Sequence, residues 1–335
     1  MKITETLEAL EKTLYGRSVY ENGALALCWS LSGFEIRFRA ERLELHFVPD
    51  YKADQPCYVK LVLDGCDERK YAISTGAEVI LLENIPDGEH TLRFYRLSEG
   101  DRPIKVSKLT LSGDDCAILP APKPSELRFE FFGDSITCGF GDMAGREDNV
   151  FTTYQEDPTR TYAFLTAKAF GADIRVEAIS GQGIVRNCNG EVGYRIPEFF
   201  GHETRVGREP HDFTRWIPQA VIINAGTNDN GGRVPDDEFR REAGRFIDHI
   251  REVYPQAWIF WVYGMMGQRY DAVLGSLFNE KSASDKRLRY VPVKPIYDFP
   301  DETGAVGHPN EKGQARAAGI LIEAINQALD VKKSV

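Results

Sequence analysis

The sequence predicts a mixed α/β chain in two parts: an antiparallel β-sandwich, then a parallel sheet with helices on both faces. Three observations lead there. Apolar residues alternate from about Leu25 to Leu111, and beyond Leu127 apolar strands alternate with amphipathic helices. A proline-rich stretch, Leu119-Pro-Ala-Pro-Lys-Pro-Ser125, separates the two rhythms.

In the first part the alternation is plainest at Phe34, Ile36 and Phe38, at Leu43, Leu45 and Phe47, and at Val59, Leu61 and Leu63. A period of two is that of a strand with one face buried. Ser32-Gly33, Pro49-Asp50, Asp64-Gly65, Pro86-Asp87-Gly88 and Ser112-Gly113 divide the runs at the spacing of a sandwich. A helix-length pattern occurs in this half near Thr4 to Tyr15, so a helix is expected to open the chain. Three prolines after Leu119 remove backbone donors and cannot continue a ladder. The domain boundary is therefore placed there, with a β-sandwich at 1–119 and a second domain at 126–335.

In the second part the expected strands are Leu127 to Phe132, Ile174 to Ile179, Ala220 to Ala225, Trp258 to Met265 and Leu288 to Val293. The expected helices are Thr161 to Phe170, Pro235 to Tyr254, about Tyr270 to Glu280, and Asn310 to Leu329. Phe239, Phe246, Ile247, Ile250 and Val253 form one stripe on the second of these. Strand-helix alternation implies a parallel sheet, and ligands of such sheets bind at the carboxyl ends of the strands.

Composition narrows the partners. The 335 residues are 42% hydrophobic and 27% charged, enough for two packed cores, and no run of about 18 apolar residues suits a membrane span. The opening Met1-Lys-Ile-Thr-Glu-Thr-Leu-Glu is broken by acidic residues, so a cytoplasmic protein is expected, or a secreted one if this is a mature form. Six cysteines, Cys28, Cys57, Cys66, Cys116, Cys138 and Cys188, have neither zinc nor disulfide spacing and read as reduced thiols. A net charge of -10 disfavours nucleic acid. Neutral substrates fit better, and no cofactor or metal is expected.

Three motifs follow expected strands. Phe131-Phe132-Gly133-Asp134-Ser135-Ile136-Thr137 presents a serine at a tight turn, where a helix N-terminus suits developing negative charge; read alone it is equally a helix cap. Ala178-Ile179-Ser180-Gly181-Gln182-Gly183-Ile184 ends a strand in glycines that can aim a backbone N–H, or simply make a turn. Ile222-Ile223-Asn224-Ala225-Gly226-Thr227-Asn228-Asp229 ends in a polar cluster whose asparagine suits an oxyanion, although turn chemistry explains the same residues. Among six histidines, His46, His90 and His249 fall on structural positions, and His202 and His211 in a long loop. His308, in the glycine-flanked Gly304-Ala-Val-Gly-His308-Pro-Asn310 before the last helix, is the best candidate base.

Gly133-Asp134-Ser135, Gly181, Gly226-x-Asn228-Asp229 and His308-Pro309, in this order and spacing, resemble the blocks of the SGNH (GDSL) hydrolase superfamily. The details Gly133-Asp-Ser-Ile-Thr-Cys-Gly-Phe-Gly141 and Gly307-His-Pro-Asn310, behind an all-β domain, resemble carbohydrate esterase family 2. The resemblance implies a jelly-roll first domain, a flavodoxin-like α/β/α second domain, and cofactor-free removal of acetyl groups from xylan- or mannan-type saccharides. It also implies Ser135 as nucleophile and His308 as base, with the N–H groups of Ser135 and Gly181 and the Asn228 side chain forming the oxyanion hole. Gly183 is the substitute for Gly181, and Asp134 and Asp229 are expected to brace loops.

One position departs from the wider superfamily, where an aspartate stands three residues before the histidine. Here that residue is Ala305. Asp298, Asp301 and Glu302 are the nearest carboxylates in sequence. Family 2 esterases are known for a Ser-His dyad, so the resemblance implies a main-chain carbonyl of the Gly304–Gly307 loop as the orienting group, with Gly307 the first choice. The rival readings are an SGNH lipase or thioesterase with a long apolar acyl channel, and a catalytically silent glycan-binding protein. The polar Gln182, Arg186, Asn187, Asn230 and Arg233 near the blocks weigh against the first, and Ser135, Asn228 and His308 together against the second.

Overall fold

The computed structural model describes residues 1–48 and 50–329, so Pro49 of one expected turn and residues 330–335 of the second domain lie outside the described residues. The chain divides into two compact units. The first comprises Met1–Pro124 with the short excursion Glu203–Glu209, and the second Ser125–His202 with Pro210–Val335.

The first unit holds β1 (Lys2–Thr6), β2 (Thr13–Tyr15), β3 (Ser18–Glu21), β4 (Ala24–Leu27), β5 (Gly33–Arg39), β6 (Arg42–Val48), β7 (Cys57–Leu63), β8 (Asp67–Ile73), β9 (Val79–Leu82), β10 (His90–Arg96), β11 (Ile104–Ser112) and β12 (Ala117–Leu119). They form two sheets of antiparallel pairs, ordered β3-β4-β11-β6-β9 with β1 on β11, and β12-β5-β10-β7-β8 with β2 on β5. Phe34, Ile36 and Phe38 from one sheet and Leu43, Leu45 and Phe47 from the other share one buried core, as their alternation requires.

The expected opening helix is not formed. Its residues divide between β1 and β2, joined by a turn. Leu7 and Leu10 are buried, and their helical spacing instead drops both into the sandwich core from that turn. Backbone pairing of Lys2–Thr6 along β11 and Thr13–Tyr15 along β5 satisfies the peptide groups that a helix would have satisfied internally.

A polar pair joins the chain after β7 to the start of β10. His90 Nδ1 lies 2.8 Å from Asp64 Oδ2 and its Nε2 2.8 Å from the Pro86 carbonyl. Desolvation acts to lower the His90 pKa, but those two acceptors outweigh it and the value rises above 6.5. Burial acts to raise Asp64, yet His90 and the Thr91 N–H hold it below 3.8. The histidine contribution is complete below 6.5 and is lost as pH rises through its folded pKa. The aspartate contribution is complete above 3.8 and is lost as pH falls through its folded pKa. Asp64→Asn should therefore lower the urea midpoint more at about pH 5.5 than at about pH 8.5. With Asp64 42% exposed, solvent screening limits the difference to ~1 kcal/mol. Equal losses at both pH values would remove the pair from the stability account.

The second unit runs β13 (Arg128–Gly133), α1 (Ser135–Cys138), α2 (Tyr162–Ala169), β14 (Asp173–Ala178), α3 (Ile196–Phe200), β15 (Ala220–Asn224), α4 (Thr227–Gly231), α5 (Asp236–Val253), β16 (Trp258–Tyr263), α6 (Asp271–Lys281), β17 (Leu288–Pro292) and α7 (Glu311–Leu329). All five strands pair in parallel, in the order β14-β13-β15-β16-β17. The five strands and four long helices fall within a residue or two of their expected places. The helix start expected at Ser135 is the short α1, whereas α3 and α4 were not foreseen. With β13 between β14 and β15 and all three parallel, the segments leaving them emerge together at the carboxyl ends of the strands, where the order reverses.

Candidate active site

The first candidate segment begins where β13 ends. A Cβ on Gly133 would lie 2.1 Å from Thr137 Oγ1, so only glycine permits the chain to fold this tightly into α1. Asp134 caps that helix, its Oδ1 accepting from the Ile136 N–H at 3.0 Å. Ser135 is thereby the first helical residue and is 6% exposed. Its own N–H donates to no group among the described residues.

His308 arrives from the other end of the second unit. Its Nε2 stands 3.0 Å from Ser135 Oγ, and its Nδ1 3.3 Å from the Val306 carbonyl. With Nδ1–H donated to Val306, Nε2 is left to accept the serine hydroxyl proton. Phe140 lies against the imidazole with centroids 4.5 Å apart, and Phe151 stacks on Phe140 at 3.7 Å.

The carbonyl facing Nδ1 thus belongs to Val306 and not to Gly307, the first choice from the sequence. The loop geometry explains the difference. Val306 has φ 52° and Gly307 φ 75°, a left-handed pair that turns the Val306 carbonyl back toward the ring two residues on. The Gly307 carbonyl points elsewhere and accepts from the Tyr297 hydroxyl at 3.0 Å. A β-branched residue in this region is strained, and neighbours hold it there. The Val306 N–H donates to the Asp148 carbonyl at 2.9 Å, and Ala305 N–H to that of Gly141 at 3.1 Å. Of the nearby carboxylates, Asp301 pairs with Lys312 at 2.6 Å and Glu302 with Arg316 at 2.7 Å.

The two other motifs follow β14 and β15. Gly181 has φ 80°, and its N–H donates to no group among the described residues. The N–H of Gly183 is already engaged by Asn187 Oδ1 at 3.3 Å, which favours Gly181 over its substitute. Asn228, 7% exposed, directs Nδ2 at Asp134 Oδ2 (2.9 Å) and at the Gln182 carbonyl (2.8 Å). Both amide hydrogens are therefore occupied, and an acyl oxygen reaches one only by sharing or replacing the Gln182 carbonyl.

Asp229 accepts from the N–H groups of Ile184, Val185 and Arg186 at 2.7 to 3.1 Å. Burial pushes its carboxyl up while those three donors pull it down. It ties the Gly181 loop to α4, a bracing role. The remaining histidines are engaged elsewhere: His46 with Glu44, His202 with Tyr194, His211 with Arg175, and His249 on the Phe200 ring. Sequence reasoning placed the orienting carbonyl in the Gly304–Gly307 loop, which contains Val306, and erred only in putting Gly307 first. It missed the Gln182 carbonyl, a main-chain group without a side-chain signal, and the rings of Phe140 and Phe151.

Residues 131–316 match the GDSL-like Lipase/Acylhydrolase family, and residues 14–122 the carbohydrate esterase 2 N-terminal domain. The chain is 28% identical to a cellulase/esterase, CelE, of Acetivibrio thermocellus over 84% of this chain and 34% of that protein. It thus spans about a third of the length of that relative. It is 26% identical to an acetylxylan esterase / glucomannan deacetylase of Cellvibrio japonicus, covering 82% of this chain and 77% of that one. Its fold matches a family two carbohydrate esterase from Clostridium thermocellum, solved with cellohexaose, at TM-score 0.84 and 23% identity over 95% and 99% of the two chains. With a family match that spans more than half its length and contains Ser135, Gly181, Asn228 and His308, this chain belongs to the GDSL-like lipase/acylhydrolase family.

Proposed function

We propose that this chain removes O-acetyl groups from saccharides of the xylan or mannan type through an acyl-serine intermediate. The observation that carries the reading is the Ser135 Oγ to His308 Nε2 contact of 3.0 Å, backed at Nδ1 by a carbonyl. Relatives named for acetylxylan and glucomannan deacetylation support the substrate class.

In this reading the Ser135 oxygen attacks the acetyl carbonyl as its proton passes to Nε2 of His308. Negative charge collects on the acyl oxygen, near the N–H groups of Ser135 at the start of α1 and of Gly181 in the loop after β14, neither of which donates to another group among the described residues. Asn228 adds its amide once the Gln182 carbonyl yields one hydrogen. The imidazolium then gives its proton to the departing sugar oxygen, and the Val306 carbonyl keeps the ring in plane throughout. Water gives a proton to the same nitrogen as it attacks the acetyl-Ser135 carbonyl; that proton then passes to Ser135 Oγ as its bond to the acyl carbon breaks, and acetate leaves.

Mass spectra of acetylated xylan and mannan oligosaccharides before and after incubation test this reading. Loss of acetyl-sized mass from either supports it, and unchanged spectra beside turnover of simple esters would move the substrate elsewhere. Asn228→Ala is expected to reduce kcat by ~10²-fold with little change in KM, because its bond to the acyl oxygen forms in the transition state. A rise in KM alone would make Asn228 a substrate contact instead.

A further inference from the structure

The chemistry of the ester divides the space around Ser135. The acyl oxygen belongs beside the N–H donors, whereas the leaving oxygen must lie at Nε2 of His308 to collect its proton. Groups around the histidine loop therefore meet the alcohol part of the substrate. Phe140 lies against the imidazole and is itself covered by Phe151. Tyr297 stands on the other part of this loop, in the short turn Ile296–Asp298 after β17. It is 57% exposed, yet its hydroxyl is fixed on the Gly307 carbonyl at 3.0 Å.

Those two facts describe one side chain with two ends. The polar end holds the peptide between Val306, which faces Nδ1, and His308 itself. Desolvation keeps the phenol above its ordinary pKa, so it remains a donor. The apolar end is a flat aromatic face open to water, the kind of surface that covers the C–H face of a pyranose ring. An exposed phenyl ring would serve that second purpose equally well. The hydroxyl serves the first.

We infer that Tyr297 is both a latch on the histidine loop and a contact for the leaving sugar. The sugar contact rests on the saccharide reading above, whereas the latch does not. Tyr297 is thus a positioning residue for His308 through the Gly307 peptide, and its ring adds specificity for saccharide over simple alcohols.

The test compares Tyr297→Phe and Tyr297→Leu with the parent on two substrates, acetylated xylo-oligosaccharides and ethyl acetate, which has no ring to stack. Tyr297→Phe is expected to lower kcat by ~3- to 10-fold on both, the range of one hydrogen bond, with each KM unchanged. Tyr297→Leu should show the same loss of kcat and, on the oligosaccharides alone, a KM raised by ~5- to 10-fold. A thermal midpoint close to the parent's confirms that each variant is folded. Parent-like kcat in Tyr297→Phe overturns the latch. Equal KM for the two variants on the oligosaccharides overturns the sugar contact. If the parent hydrolyses ethyl acetate but leaves the oligosaccharides intact, the saccharide reading fails with the sugar contact, and ethyl acetate alone still decides the latch.

Discussion

Ser135→Ala is expected to reduce hydrolysis of an aryl acetate by ~10⁴-fold or more, the scale set by removing a nucleophile from a Ser-His unit. The fold should survive. Asp134, and not Ser135, caps α1 through the Ile136 N–H, so the turn that places residue 135 does not depend on its hydroxyl. Initial rates, with the far-ultraviolet dichroism and thermal midpoint as controls, make the comparison. Parent-like turnover in a folded variant would eliminate acyl transfer through this serine.

His308→Ala is the second large effect, expected to approach the loss at Ser135 because the two act as a unit. The carboxylates nearest in sequence should behave differently. A buried acid that fixes a histidine tautomer is worth ~10⁴-fold when neutralised. Asp301 and Glu302 are committed to Lys312 and Arg316, while the Val306 carbonyl lies 3.3 Å from Nδ1. Neutralising Asp298, Asp301 or Glu302 as the amide should therefore cost less than ~10-fold in kcat. A loss of the full triad size at any of the three would replace the carbonyl with a displaced acid. The carbonyl accepts the same hydrogen bond but carries no formal charge, so it orients the imidazolium more than it stabilises it.

The sequence made the second unit almost fully legible, because strands buried on both faces and long amphipathic helices leave long, unambiguous periods. Its short α1, α3 and α4 have no such period. The α1 turn forms where the chain leaves β13, its Ile136 N–H taken by Asp134, and α4 where the chain bends at Gly226 after β15. The misread opening segment shows the converse: Leu7 and Leu10 carry helical spacing, and tertiary pairing to β11 and β5 overrides it. Ser135 and His308, which the structure brings to 3.0 Å of each other, were legible as candidates because side chains carry them and their blocks are specific. The occupation of both Asn228 hydrogens was not readable, since it depends on where Asp134 and the Gln182 carbonyl fall in space.

The Val306 carbonyl has a consequence for how such a site is inherited. A main-chain oxygen has no codon: every amino acid supplies it, so substitution at 306 leaves the acceptor present and alters the backbone that aims it. Selection at this position acts on tolerance of a left-handed φ, which glycine and asparagine meet more easily than the valine found here. A lineage can therefore exchange the side chain at 306 freely, by the measure of its chemistry, while the atom it positions stays fixed. The genetic record of the orienting group is displaced onto residues whose side chains, or lack of one, hold the loop: Tyr297, whose hydroxyl donates to the Gly307 carbonyl, and Gly141, where a Cβ would lie 2.7 Å from that of Ala305.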